Sequence, residues 1–354
     1  MQATSFARRG SRAVTQFALA LTAVAGLGSA APAQGEVNIY SYRQPPLIDP
    51  LLKAFTDKTG IKTNVIFAAA GLNERLAAEG LNSPADLLFT VDAGRLSEAK
   101  DAGLTQPVES PLLTTAIPSQ FRDPGNHWFG LTMRSRVVYA SKERVKQDSI
   151  TYEELADPKW KGKICIRSGQ HVYNTSLIAT VIAHKGEAYT EEWIKGVKAN
   201  LAQKPAGGDR EQARDIHSGK CDLALGNTYY MALMMQADKN PEQKEWAKAV
   251  KVLFPNAGDR GTHVNVSGAA LTKYAPNKAE AVKLVEFLIG DEAQGMYASV
   301  NHEYPVNPKV EPSATVKSWG ALKPDSLALG DISKHRKAAS EIVDKVNFDA
   351  GPSS

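Results

Sequence analysis

The sequence has few cysteines, no zinc-binding motif and little net charge. It contains two cysteines and seven histidines in 354 residues, with no Cys-x-x-Cys pair and no regular histidine spacing, which excludes the common zinc sites. The formal net charge is +4, and three arginines lie in residues 1–33, a stretch without acidic residues, so the rest of the chain carries +1. A chain this close to neutral does not favour nucleic acid as a partner.

Sequence motifs of common enzyme classes are also absent. The chain has no Gly-x-Ser-x-Gly elbow, no P-loop and no Gly-x-Gly-x-x-Gly after a predicted strand. No pair of carboxylates stands out for acid–base chemistry. We therefore expect a binding protein rather than an enzyme.

The chain lacks an apolar run long enough to cross a membrane. The N-terminal run from Phe17 to Leu27 follows a basic segment, and the small residues Ala31-Pro32-Ala33 come after it. This order is typical of a cleavable signal peptide, which we place at residues 1–33. It predicts export to the periplasm, with Arg8-Arg9 leaving the twin-arginine route open beside general secretion.

Short apolar runs alternate with helical patterns along the rest of the chain. Strands predicted at 37–41, 62–67 and 85–90 alternate with helices, which indicates a mostly parallel sheet flanked by helices. The long run 127–141 is predicted to cross between two lobes, and the glycine-rich stretch 258–268 to return. The other predicted elements are strands at 163–167, 221–225 and 250–254, and helices at 45–55, 73–79, 94–100, 173–184, 190–201 with Thr190 as N-cap, 209–218, 278–288, 292–299 and 332–346.

The two cysteines, Cys165 and Cys221, both lie on predicted buried strands. In an oxidising compartment such a pair favours a disulfide, and the alternative is two separate buried thiols. A bond between them would close a loop of more than 50 residues, worth about 4 kcal/mol in the chain-entropy treatment.

Two adjacent tyrosines, Tyr229 and Tyr230, follow a short apolar run where a strand is predicted to end and a helix to begin. Both side chains of such a pair can point into a cleft. Their phenol oxygens would form a hard, anionic site once a trivalent metal displaced the protons. The alternative is a pair of aromatic rings packed beneath a helix.

The chain contains, in this order, the segments Tyr40–Pro45, Trp128–Arg136, Arg167–Asn174 and Gly226–Tyr230. Together these four segments resemble the ferric-ion-binding proteins of bacterial iron ABC importers. The resemblance implies a two-lobe, type II periplasmic-binding fold with a hinge, and a monomer that delivers ferric ion to a membrane permease and its ATPase. It implies an N-terminal lobe of residues 34–133 plus 256–306 and a C-terminal lobe of 134–255 plus 307–354. It also identifies Tyr173, Tyr229 and Tyr230 as the iron ligands.

The sequence departs from this family just after the first strand, where many members place a histidine and a tyrosine. Gln44 and Pro45 occupy these positions, so we expect no strong ligand from the first lobe. Three tyrosinates leave three positions of an octahedral ion, for which we predict a synergistic anion such as carbonate, with water. Arg43, Arg134 and Gln44 are the expected anion-binding residues, because guanidinium pairs with planar oxyanions.

Three further residues have simpler expected roles. Asp92 is expected to cap the following helix. His171 is expected to be a hydrogen-bonding group rather than a ligand, and His302-Glu303-Tyr304 to form a turn. Two alternatives to ferric binding stay open: binding of a small organic solute, and an exported metal-dependent enzyme. Free ion and chelate are both open as cargo.

Overall fold

The computed structural model describes residues 35–352, so the predicted signal peptide lies outside the described residues. The strands within this range are β1 Glu36–Ser41, β2 Lys62–Phe67, β3 Leu87–Thr90, β4 Phe129–Ser141, β5 Ile164–Cys165, β6 Leu223–Asn227, β7 Val250–Leu253, β8 Val264–Leu271 and β9 Tyr304–Pro305. The α-helices are α1 Asp49–Thr59, α2 Leu72–Glu79, α3 Ala93–Asp101, α4 Pro111–Ala116, α5 Val172–Lys185, α6 Glu187–Ala199, α7 Asp209–His217, α8 Thr228–Met235, α9 Pro241–Lys248, α10 Lys278–Ile289, α11 Asp291–Ser299, α12 Ala314–Lys317, α13 Leu329–Ser333 and α14 Arg336–Lys345.

Local sequence explains where several helices begin and end. The α1 helix buries Leu51, Leu52 and Phe55 and ends at Gly60, whose φ of 72° suits a left-handed cap. Asp92 caps α3 as expected, since its side chain accepts a hydrogen bond from the backbone N–H of Arg95. The predicted cap at Thr190 is wrong. Helix α6 begins earlier, after Gly186, and the Thr190 hydroxyl bonds back to the carbonyl of that glycine.

The strands form a mixed sheet in the order β2-β1-β3-β8-β4-β6-β5, with β7 and β9 also paired to β4. The β1–β2, β1–β3 and β5–β6 pairs are parallel, whereas every pairing of β4 and β8 is antiparallel. The parallel pairs predicted by the β-α-β pattern are therefore the outer ones. The antiparallel pairs arise because β4 and β8 cross the molecule in opposite directions.

Strand β4 is shared by two sheet regions. Its first half, as far as Ser135, pairs with β8, and its second half, from Arg136 to Ala140, pairs with β6. All thirteen of its residues are buried. The stretch predicted as a glycine-rich return crossing contains the start of β8, which runs back alongside β4. These two strands therefore join the sheet regions that face each other across a cleft.

Two features complete the framework. Cys165 and Cys221 are joined in a disulfide with their Cα atoms 5.8 Å apart, inside an apolar cluster that also holds Val137, Tyr139 and Met234. The predicted helix over 332–346 is interrupted, because α13 and α14 are separate helices with His335 between them. Among residues 35–352 we find no helix with the length and hydropathy of a membrane span.

Candidate functional site

A polar cleft with a volume of about 170 Å³ lies between the two sheet regions and opens to solvent. On one side it is lined by residues that follow β1 and β2, and on the other by the first turns of α5 and α8. The residues that line the cleft include Arg43, Gln44, Phe67, Arg134, Arg167, His171, Tyr173, Tyr229, Tyr230 and Glu303.

The adjacent residues Tyr229 and Tyr230 lie in the first turn of α8, directly after the end of β6. Their ring centroids are 4.2 Å apart, with Tyr229 buried and Tyr230 partly exposed. Tyr139 of β4 holds the strand end beneath them, because its hydroxyl donates to the carbonyl of Asn227 at 2.6 Å. Its ring also occupies the space that a side chain at Gly226 would need. The direction of the pair is therefore set by the buried strand.

Tyr173 approaches the pair from the first turn of α5. Its hydroxyl oxygen lies 3.2 Å from that of Tyr229. His171 caps this helix, and its Nδ1 accepts a hydrogen bond from the Tyr173 N–H at 3.2 Å. Burial and the nearby arginines Arg167 and Arg136 lower the pKa of His171 to about 3. His171 is thus a neutral hydrogen-bonding group that fixes the start of the helix.

The protein environment keeps two of the phenols protonated. Burial raises the pKa of Tyr229 well above its usual value of 10, and the neighbouring Tyr173 and Tyr230 raise it further. Burial likewise raises the pKa of Tyr230. Only a strongly polarising cation would displace these protons near neutral pH. In the described part of the chain, no group of three or more His, Cys, Asp or Glu side chains could hold a metal ion.

Arg43 is buried and already paired. Its Nη1 donates to Ser267 at 2.7 Å and to Glu303 at 3.2 Å, and its Nη2 pairs with the other oxygen of Glu303. Burial lowers the pKa of Arg43, but the negative charge of Glu303 outweighs burial and raises it. At the edge of the cleft Arg43 is therefore half of an ion pair. The exposed Gln44 stands next to it.

Arg134 has spare hydrogen-bonding capacity in the cleft. One of its terminal nitrogens donates to the carbonyl of Val91. The other, Nη1, is buried and has no hydrogen-bond partner within residues 35–352. The guanidinium carbon lies 5.4 Å from the centroid of the Tyr173 ring. A buried unpaired donor of this kind is costly unless a ligand or water accepts from it.

The sequence did not single out Arg167 and Glu303 as site residues. Arg167 pairs with Asp209 at 3.1 Å, and its guanidinium lies 5.3 Å from the Tyr173 ring centroid. Asp209 also pairs with Arg136 at 2.7 Å. Burial raises the pKa of Asp209, but the two arginines outweigh burial and lower it. Arg167 is the first residue of the segment Arg167–Asn174, one of the four that resemble the ferric-ion-binding proteins, and this position is the signal that could have identified it. For Glu303 the sequence offered none, because its partner Arg43 is 260 positions away.

The fold and the cleft together define a class of protein. Two α/β lobes, joined by crossing strands and separated by a polar cleft, are the architecture of type II extracellular binding proteins. The chain belongs to the bacterial extracellular solute-binding protein family, whose sequence pattern matches residues 82–320.

Individual relatives agree with this class. Iron uptake protein A1 of Synechocystis is 44% identical over 317 residues, which cover 89% of this chain and 88% of that protein. The crystal structure of apo ferric ion-binding protein A from Pasteurella haemolytica is 51% identical, with a TM-score of 0.85 over 89% of this chain and 98% of that one. A Trichodesmium protein solved in complex with iron and citrate ligands is 42% identical, with a TM-score of 0.84 over 89% of this chain and all of that chain. These neighbours confirm the predicted two-lobe fold and the resemblance on which it rested.

Proposed function

We propose that the chain binds ferric ion in the cleft through the phenolate oxygens of Tyr173, Tyr229 and Tyr230. The observation that carries the proposal is the convergence of the three rings. Tyr173 and Tyr229 bring their hydroxyl oxygens within 3.2 Å of each other, and Tyr230 stacks on Tyr229. The names of the relatives, which are ferric ion-binding and iron uptake proteins, support the choice of metal.

The donor set matches a hard trivalent cation. Phenolate is an anionic oxygen donor, and tyrosinate is a ligand of ferric iron in haem proteins. Three phenolates balance the three charges of the ion, and a nearby guanidinium can balance the negative charge of a further anion, so no large charge is left buried without a partner. Because the phenols are protonated when the site is empty, binding exchanges protons for metal and depends on pH.

A synergistic anion such as carbonate completes the coordination in this proposal. Arg134 is its principal donor, since its buried Nη1 has no partner among the described residues. Gln44 borders the same space. Arg43 contributes less than its position in the sequence suggested, because its guanidinium is engaged by Glu303. Asp209 is shared between Arg136 and Arg167, so positive charge exceeds negative charge behind the tyrosines and favours an anion there.

The cellular role follows from the class of protein. We place the chain in the periplasm after removal of residues 1–33, as a monomer that carries ferric ion to an ABC permease and its ATPase. Residues 34–133 plus 256–306 would form one lobe, and residues 134–255 plus 307–354 the other. Closure of the lobes around the ion would give the permease a distinct loaded shape to recognise.

A visible-absorption titration tests the proposal. Ferric ion added to the iron-free protein should produce a ferric–tyrosinate charge-transfer band that saturates at one ion per chain. Bicarbonate should strengthen the binding. An organic solute would give no such band, and turnover by the metal-loaded protein would instead favour an enzyme. Failure to develop the band, with and without bicarbonate, would refute tyrosinate coordination.

A further inference from the structure

Next to α13, which contacts both α3 and α5, the terminal helix α14 also extends a long side chain toward α3. Ala339, Ile342 and Val343 are buried on its inner face, where it packs against α5 and α6. Its first residue, Arg336, reaches the opposite lobe. The Arg336 Nη1 lies 3.2 Å from Asp92 Oδ1 and 2.8 Å from Glu98 Oε1, both associated with α3.

The surface of α3 is shaped to receive this arginine. Gly94 lies in the first turn of α3, directly beneath the guanidinium. A Cβ built at Gly94 would overlap the Cδ and Nη1 atoms of Arg336. The glycine does not have a positive φ, so the backbone does not require it. A side chain at Gly94 would therefore displace Arg336 from its place against α3.

Asp92, the buried one of the two acidic partners of Arg336, connects to the side of the molecule that carries the proposed iron site. Its carboxylate is fully buried and accepts a hydrogen bond from Asn265 of β8 at 2.7 Å. The same Asn265 amide donates to Ser176 of α5 at 2.6 Å, one turn after Tyr173. The preceding residue, Val91, accepts from Arg134. Asp92 therefore lies where α3, the crossing strand and the Tyr173 helix meet.

We propose that Arg336 is a positioning residue that sets the angle between the lobes and so slows the release of bound metal. This inference rests on the proposed ferric function for its readout, but its structural part concerns the iron-free protein as well. Arg336 contacts neither the tyrosines nor the anion residues. Its loss would remove the link between Arg336 and α3, while the contact between α13 and α3 and the ligand set would stay in place. Lobe opening would then require less free energy, and the ion would escape faster.

The test compares Arg336→Gln and Gly94→Ala with the wild-type protein. Gly94→Ala keeps the arginine in the sequence but displaces its side chain from α3, so the experiment does not depend on one variant folding well. Lys337→Gln is the matched control, because Lys337 is the neighbouring residue, is 89% exposed and pairs only loosely with Glu341 within its own helix. Release of ferric ion to a competing chelator is followed by decay of the visible band.

Both test variants should release iron about five-fold faster or more, the lower end of typical coupling between sites. The wavelength of the band should stay at the wild-type value, because the ligands are intact. Lys337→Gln should match the wild type. Wild-type release rates in both test variants would overturn the proposal. So would a shifted band in either of them, because it would show that the ligands themselves had changed.

A distance measurement separates this inference from the proposed function. Spin labels are attached at Lys53→Cys of α1 and Lys248→Cys of α9, two exposed positions on opposite lobes. Their distance distribution in the iron-free protein should broaden toward longer values when Arg336→Gln is added. If the wild type gives no visible band, the ferric proposal fails while this measurement still decides the role of Arg336. An unchanged distribution would refute that role.

Discussion

Replacing Tyr229 by phenylalanine removes one oxygen from the centre of the proposed site and leaves the ring in place. Tyr229 is 4% exposed, and its ring lies against that of Tyr230 with the centroids 4.2 Å apart. The variant should therefore fold, losing one hydroxyl contact to Tyr173 that is worth about 1 kcal/mol. Thermal unfolding of the iron-free protein, followed by circular dichroism, checks this part.

The effect on ferric binding should be far larger than the effect on folding. Without one phenolate, the trivalent ion loses one of its three anionic protein ligands, and the charge balance of the buried site is disturbed. Removing one partner of a buried ion pair costs about 3–5 kcal/mol, which corresponds to a loss of affinity of about 10²- to 10⁴-fold. The remaining charge-transfer band should be weaker and shifted.

Competition with a chelator of known ferric affinity measures the loss. Tyr189→Phe is the control, because Tyr189 is 42% exposed on α6 and does not line the cleft. It should bind ferric ion as the wild type does. Wild-type affinity in Tyr229→Phe, with the fold intact, would refute the assignment of this phenol as a ligand.

Three further predictions follow from the site and the disulfide. Affinity for ferric ion should fall as the pH falls, because burial raises the pKa of Tyr229 and Tyr230 and protons then compete with the metal for each phenolate. Isothermal titration in buffers of different ionisation enthalpy should detect the release of protons. A pH-independent affinity would contradict the mechanism. Arg134→Gln should weaken ferric binding about 10- to 100-fold, as loss of outer partners does at other metal sites, and should abolish the effect of bicarbonate, whereas a retained bicarbonate effect would assign the anion elsewhere. Replacing both Cys165 and Cys221 by serine should lower the free energy of unfolding by about 2–5 kcal/mol in a urea titration, with the visible spectrum unchanged; equal urea midpoints would show that the bond does not stabilise the fold.

Residues that act within one segment could be recognised from the sequence. The long apolar run before Ser141 identified β4, and the apolar run before Tyr229 identified the strand end from which the tyrosine pair projects. Asp92 was recognised as a cap because it precedes the first turn of a helix. In each case the cause of the structure lies within a few neighbouring residues, which local periodicity and capping rules describe.

Pairs of residues that folding brings together from distant segments could not be recognised from the sequence. Arg43 was assigned to an anion on its position alone, and its engagement by Glu303 depends on a turn near the other end of the chain. The contact of Arg336 with Asp92 has the same character. Thr190 failed as a predicted cap for a different reason: Gly186 allows α6 to begin earlier, and the threonine hydroxyl is satisfied inside the first turn.

The fit between Tyr139 and Gly226 has a consequence for anyone who wishes to move this site into another protein. Grafting three tyrosines onto a new scaffold would reproduce the donor atoms but not their orientation. The end of the strand that orients the pair is held by the ring of Tyr139, which leaves no room for a side chain at Gly226. A working transplant would need that tyrosine and that glycine as well. Alanine at Gly226, which touches no metal, should disturb the site as surely as loss of a ligand.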